Sequence, residues 1–254
     1  MKILAIGDVC GPAGCDFLCR RLGALKRRLA PDFVVVNGEN ATGRGITPAQ
    51  ADDMFFAGAD AITLGNHAFD NRQILPYLDD GKPIVRPYNL APAHPGRGYA
   101  VIECNGVRVC VASLLGRLHM DFNHDSPFAA ADRLLESVPA ELYIIDFHAE
   151  ATSEKKAMGY HLDGRVAVCF GTHTHVQTSD ARVLPQGTGY LTDLGMTGAQ
   201  ESVIGVKWQQ SLAYFRGGPA PRFENSSEQC HLQGALFTIG PDGRCQSVQL
   251  VDEA

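Results

Sequence analysis

Apolar residues recur along this chain in two alternating rhythms. Lys2–Gly7 is a short, nearly unbroken apolar run that predicts a buried strand, and Phe33–Asn37 (FVVVN) and Ala61–Leu64 predict two more. Between the first two, Leu18, Leu22, Leu25 and Leu29 keep helical spacing, with Arg20, Arg21, Lys26, Arg27 and Arg28 at outward positions. Pro48–Phe56 begins on a proline and predicts a second helix. The resulting β-α-β-α-β order predicts parallel strands joined by right-handed crossovers.

The rhythm then changes. Pro83, Pro87, Pro92 and Pro95 crowd one segment, which predicts a long ordered loop over 83–95. Tyr99–Cys104 and Val107–Ser113 flank Asn105-Gly106, a two-residue hairpin signal. A helix is predicted over Pro127–Ser137, core strands over Leu142–Phe147 and Val166–Gly171, and strands at Ala181–Leu184 and Gly189–Thr192. A last hairpin is predicted around Pro241-Asp242-Gly243. With no repeat, low-complexity tract or linker, residues 1–254 are expected to form a single domain, a two-sheet α/β sandwich.

Composition narrows the class. The chain has 254 residues, 45% hydrophobic and 20% charged, with a formal net charge of −6. That balance argues against a duplex DNA binder, which needs a basic face. No apolar stretch approaches the ~20 residues of a membrane helix, and the N-terminus does not resemble a signal peptide, so a cytoplasmic location away from membranes is expected. The eight cysteines are scattered, several within apolar runs such as Val109-Cys110-Val111. They read as free thiols packed in the core rather than as disulfides.

Candidate chemistry collects where the predicted strands end. The fragments are Gly7-Asp8, Asn37-Gly38-Glu39-Asn40, Gly65-Asn66-His67, Asp146-Phe147-His148 and Gly171-Thr172-His173-Thr174-His175. Carboxyl ends of strands are where open α/β sheets form their sites. Each fragment has a bland reading: a capping Asp8, a hydrogen-bonded histidine, an Asn66 that holds a turn. Coincidence at five strand ends favours a site. Carboxylate, amide and imidazole donors suit hard or borderline divalent metals. Glu39 has two oxygens and can bridge a pair of ions, which can activate a hydroxide between them and neutralise a phosphoryl group. A nearby histidine can protonate the leaving oxygen. The parts suggest a phosphoester hydrolase.

Other residues are less telling. His94, His119, His124, His161 and His231 lack strand-end placement. Thr42-Gly43-Arg44-Gly45 reads either as a phosphate-touching loop or as a plain turn. The role of Thr192–Gly198, which follows a predicted strand, stays open.

At these residues the sequence resembles the calcineurin-like metallophosphoesterases, through Gly7-Asp8, Gly38-Glu39-Asn40, Gly65-Asn66-His67, His148 and Gly171-Thr-His-Thr-His175. Asn37–Asn40, the stretch Asp146–Lys156 and Thr192–Gly198 resemble its YmdB-like branch of 2′,3′-cyclic nucleotide 2′-phosphodiesterases. The resemblance implies a four-layer αββα sandwich of two mixed sheets flanked by helices. It also implies a dinuclear centre with iron or manganese, zinc being allowed by residue type. One metal would take Asp8, Glu39, Asn40 and His175, the other Glu39, Asn66, His148 and His173, with His67 as leaving-group acid. Cys10 stands where the superfamily usually has a histidine ligand, and reads as packing, with a soft ligand as the alternative. The expected substrate is a small phosphodiester or nucleotide, and a homo-oligomer is plausible by resemblance. The competing readings are a phosphomonoesterase and a non-catalytic, metal-stabilised partner-binding scaffold.

Overall fold

A computed structural model of the chain describes residues 1–120 and 124–254. Strands β1 (Lys2–Ile6) and β2 (Asp8–Val9) lead into helix α1 (Gly11–Leu29), then β3 (Phe33–Asn37), α2 (Pro48–Ala57), β4 (Ala61–Thr63), α3 (Ile74–Leu78) and β5 (Ile84–Val85). The hairpin β6 (Tyr99–Cys104) and β7 (Val107–Leu115) precedes α4 (Pro127–Ser137), β8 (Leu142–His148), α5 (Thr152–Leu162) and β9 (Val168–Thr172). The chain continues with β10 (Arg182–Val183), β11 (Gly189–Leu191), β12 (Met196–Ala199), α6 (Trp208–Phe215), β13 (Cys230–Ile239) and β14 (Cys245–Glu253).

Unbroken apolar strands make sense once their two faces are separated. Successive side chains of a strand leave on opposite sides, so a strand covered on both faces has no polar face. Ile3, Ala5, Phe33 and Val35 enter a central core with Val109, Val111, Ile144, Val168 and Phe170. Leu4, Ile6, Val34 and Val36 turn the other way and meet Leu18, Leu22 and Leu25 of α1 and Met54 of α2. On the far side Cys110, Ala112, Ile145 and Cys169 pack against Leu134 of α4 and Met158 and Leu162 of α5. The order is helices, sheet, sheet, helices: the expected four-layer αββα sandwich.

The first sheet runs β2-β12-β13-β1-β3-β4-β5, with β14 paired to β13, and the second runs β10-β11-β9-β8-β7-β6. Both are mixed. β1, β3, β4 and β5 are parallel, as are β7, β8, β9 and β11, whereas β13 is antiparallel to β1. Local signals hold the crossovers. Thr47 and Gln50 form a reciprocal capping box at the start of α2, and Gly58 ends it at φ 114°.

Several expectations need correction. The proline-rich stretch contains β5, which adds to β4, and Asp8 lies within a two-residue strand rather than beyond one. α5, α6 and β12 occupy segments with no predicted element. The cysteines are free, as expected. Among the described residues, no helix is long and apolar enough to cross a membrane.

Candidate metal centre

Parallel strands aim their carboxyl ends at one edge, and here both sheets aim at the same place. Asp8 sits in β2; Glu39 and Asn40 follow β3; Asn66 and His67 follow β4; His148 ends β8; His173 and His175 follow β9. All eight sequence-predicted site residues converge. Two glycines permit it. A Cβ on Gly7 would stand 2.1 Å from the Gly195 carbonyl oxygen. A Cβ on Gly65 would stand 2.2 Å from Glu39 Oε2 and 2.4 Å from His148 Nε2, filling the space where donors gather.

The inward atoms are lone pairs facing lone pairs. His148 Nε2 lies 2.9 Å from Glu39 Oε1, 2.8 Å from Asn66 Oδ1 and 3.1 Å from His173 Nδ1. One donor proton can serve only one of these acceptors, so the crowding is that of a cation site rather than a hydrogen-bond network. Glu39, His148 and His173 form a group able to hold a metal ion. On the other side of Glu39, the Asn40 carboxamide nitrogen lies 3.2 Å from both Glu39 Oε1 and His175 Nε2. Half a turn of that carboxamide presents its oxygen to the same space. Asp8 Oδ2 accepts from the His173 backbone N–H, while its Oδ1 is buried with no hydrogen-bond partner among the described residues. His175 Nε2 stands 3.7 Å from that oxygen, too far for a hydrogen bond. A buried, unpaired carboxylate oxygen is costly unless a ligand satisfies it.

Each inward histidine is also held from behind. His148 Nδ1–H donates to Thr172 Oγ1 at 2.8 Å, and Thr172 donates to buried Asp146 at 2.6 Å. His173 Nε2–H faces Glu150 at 3.2 Å, and His175 Nδ1–H donates to the Ile204 carbonyl at 3.0 Å. Fixing the outer N–H leaves the inner nitrogen as a free lone pair, the usual arrangement behind metal-ligating histidines. His173 and His175 pay for their placement in backbone strain, with φ of 96° and 61°. The intervening Thr174 is clamped by Asp193, which accepts from both its N–H and its hydroxyl. Asp193 in turn pairs with buried Lys155 at 2.6 Å.

Electrostatics follow the same crowding. Burial opposes charge on His148, but the Glu39 carboxylate outweighs it and raises the imidazole to about 9. His173 falls to about 3 through burial and repulsion from His148. Burial raises Asp8 to about 6. A cation at these donors therefore competes with a proton for them. Burial, then Asp8 and Glu39, push the Cys10 thiol well up. Its Sγ sits 3.4 Å from His175 Nδ1, the outward nitrogen, so Cys10 packs behind a ligand candidate as a neutral thiol.

His67 is tied to the cluster through its backbone N–H, which donates to Glu39 Oε2, and it lines the cavity. Its Nδ1 faces Asp70 at 3.0 Å, and Arg44 pairs with the same carboxylate at 2.9 Å. The Thr42–Gly45 backbone is a turn: the N–H groups of Gly43 and Gly45 donate to the Asn40 and Glu39 carbonyls, and that of Thr42 to the Gly45 carbonyl. Thr42, Gly43 and Arg44 all line the cavity. Sequence reading missed Asp70, and singled out the segments holding Asp146, Glu150, Lys155 and Asp193 without assigning those residues a role. The spacing Gly65-Asn66-His67-x-x-Asp70 was the one local signal available. Four of the five other histidines are engaged elsewhere: His94 stacks on Phe69, His161 pairs with Asp132, His231 with Asp252, and His124 bonds the Gly116 carbonyl.

Comparison with solved structures sets the class. A 5′-nucleotidase precursor from Thermus thermophilus superposes with a TM-score of 0.61 at 15% identity, over 100% of this chain and 54% of that one, so the two share a fold. The chain belongs to the YmdB-like family, whose profile, described as YmdB-like protein, matches residues 4–251. It is 42% identical over 242 residues to the 2′,3′-cyclic-nucleotide 2′-phosphodiesterase of Bacillus subtilis, covering 94% of this chain and 91% of that protein. A crystal structure titled a novel phosphatase, from Mycoplasma pneumoniae, matches with a TM-score of 0.94 at 34% identity, over 99% of this chain and 92% of that one.

Proposed function

We propose that this protein hydrolyses small phosphodiesters, 2′,3′-cyclic nucleotides foremost, with two divalent metal ions. Asp8, Glu39, Asn40 and His175 would hold one ion, and Glu39, Asn66, His148 and His173 the other. The mixed oxygen and imidazole set suits iron and manganese, and also accepts zinc. When bound, such ions supply Lewis acidity at the phosphoryl group and lower the pKa of water. Asp8 and Glu39 are the only carboxylates in this donor set, so two dications leave a local positive excess that draws phosphate in.

The chain's own groups do the rest. Arg44 offers a charged donor beside the phosphate position. As water attacks phosphorus and the bond to the 2′-oxygen breaks, His67 gives that oxygen its proton, leaving a 3′-phosphate. Asp70, 3.0 Å from His67 Nδ1, orients the ring. The reading rests on one observation above the others: three inward imidazoles, each with its outer N–H held by a partner, facing carboxylate and amide oxygens.

The Mn²⁺-loaded protein is expected to convert 2′,3′-cyclic AMP into adenosine 3′-monophosphate. His67→Ala should lower kcat by about 100-fold or more while metal content is retained. Full activity in that variant would remove His67 from the mechanism. The Mycoplasma relative, described as a phosphatase, favours a monoesterase as the second reading. Rates on p-nitrophenyl phosphate against its bis-ester separate the two.

A further inference from the structure

α6 is a helix almost without a core: Ser211 alone of its residues is buried. Exposed large apolar side chains are ordinarily scattered over a soluble protein. Here six of the thirteen among the described residues fall between Ile204 and Phe223, and three of them, Tyr214, Phe215 and Phe223, are in ring contact. Phe215 is 77% exposed, Phe223 45% and Tyr214 42%. The rings brace one another, with centroids 5.6 Å apart for Tyr214 and Phe215 and 6.0 Å for Tyr214 and Phe223.

The patch does not face bulk solvent alone. Tyr214, Phe215 and Phe223 line a cavity of about 870 Å³ that is also lined by Glu39, His67, His173 and His175. The same space is therefore lined by both polar donors and aromatic rings. Asn225 also lines it, its carboxamide packed against Gly43 and Gly11 so closely that a Cβ on either would come within 3 Å of Nδ2.

We propose that Tyr214, Phe215 and Phe223 seat the nucleobase of the substrate, with the Asn225 carboxamide as donor and acceptor for the base edge. This rests on the phosphodiesterase reading above and names what that site selects. A phosphate held at the donors leaves the remainder of a nucleotide inside the same cavity, where aromatic rings are the available surface. Bases stack on such rings with little regard for sequence because every base has a π face. The cavity also has the volume of a small-molecule site, about 300–1,000 Å³, and is concave where a protein partner would need a broad surface.

The test compares two five-membered cyclic diesters on the Mn²⁺-loaded protein: 2′,3′-cyclic AMP, and glycerol 1,2-cyclic phosphate, which lacks a base. Phe215→Ala and Phe223→Ala should each raise KM for the nucleotide about 10-fold and leave kcat and the base-free substrate unchanged. Equal losses on both substrates, or none on either, overturn the proposal. Calorimetry supplies an arm independent of turnover. Adenosine 3′-monophosphate should bind the wild-type protein more tightly than the F215A/F223A variant, and glycerol 3-phosphate should bind both alike. If the wild-type protein hydrolyses neither diester, the phosphodiesterase reading fails while calorimetry still judges the aromatic wall. Sedimentation of the same variants closes the remaining route: an oligomer that dissociates with no change in nucleotide affinity makes the patch a contact between copies and overturns the base site.

Discussion

Gly65 shows how much of the centre depends on a missing side chain. Its nearest neighbours to an added Cβ would be the Glu39 carboxylate and the His148 imidazole, so an added methyl must push these donors aside. Gly65→Ala should therefore cost metal binding rather than folding. Metal content of the purified variant should fall sharply while its circular dichroism stays native, and a variant that keeps full metal would show the donors to be elsewhere. The ligand candidates were legible in the sequence because each is a polar residue ending an apolar run, where a core role is unavailable. Their supports were not. Asp193 holds the turn between His173 and His175 from residues far along the chain, and the Ile204 carbonyl that fixes His175 has no side-chain identity to read.

Among the helices, α5 is the instructive case. Its sequence, TSEKKAMGYHL, carries no clear apolar stripe because two of its buried positions are polar. Glu154 accepts from the Arg117 and Leu118 amides, and Lys155 passes beneath Gly171 to Asp193. Hydrophobic periodicity reports only apolar burial, so this helix was invisible to it. α6 was missed for the opposite reason, since it buries almost nothing. The strands β1, β3, β8 and β9 were readable because both faces are apolar. Removing one partner of a buried ion pair leaves the other uncompensated, at about 3–5 kcal/mol. Lys155→Met should thus lower the denaturation midpoint by roughly 10 °C. It should also loosen the Thr174 turn and reduce metal affinity. An unchanged midpoint would mean the pair is dispensable to the fold.

Two sheets stacked face to face, each with parallel strands ending at one edge, make a single rim where residues from β2, β3, β4, β8 and β9 meet. Neither sheet alone supplies the full donor set: Asp8, Glu39, Asn40 and Asn66 come from the first, His148, His173 and His175 from the second. The sandwich was foreseeable from the strand count and rhythm, but the meeting of the two rims depends on which faces share the central core. A net charge of −6 gives no hint of a pocket for anions, because its relevant carboxylates lie buried at that rim. Anomalous diffraction from crystals of the protein loaded with Mn²⁺ tests the account most directly. Two peaks about 3.5–4 Å apart are expected, flanking the Glu39 carboxylate. A single peak, or ions bound away from Glu39, His148 and His173, would contradict the dinuclear centre on which the proposed chemistry rests.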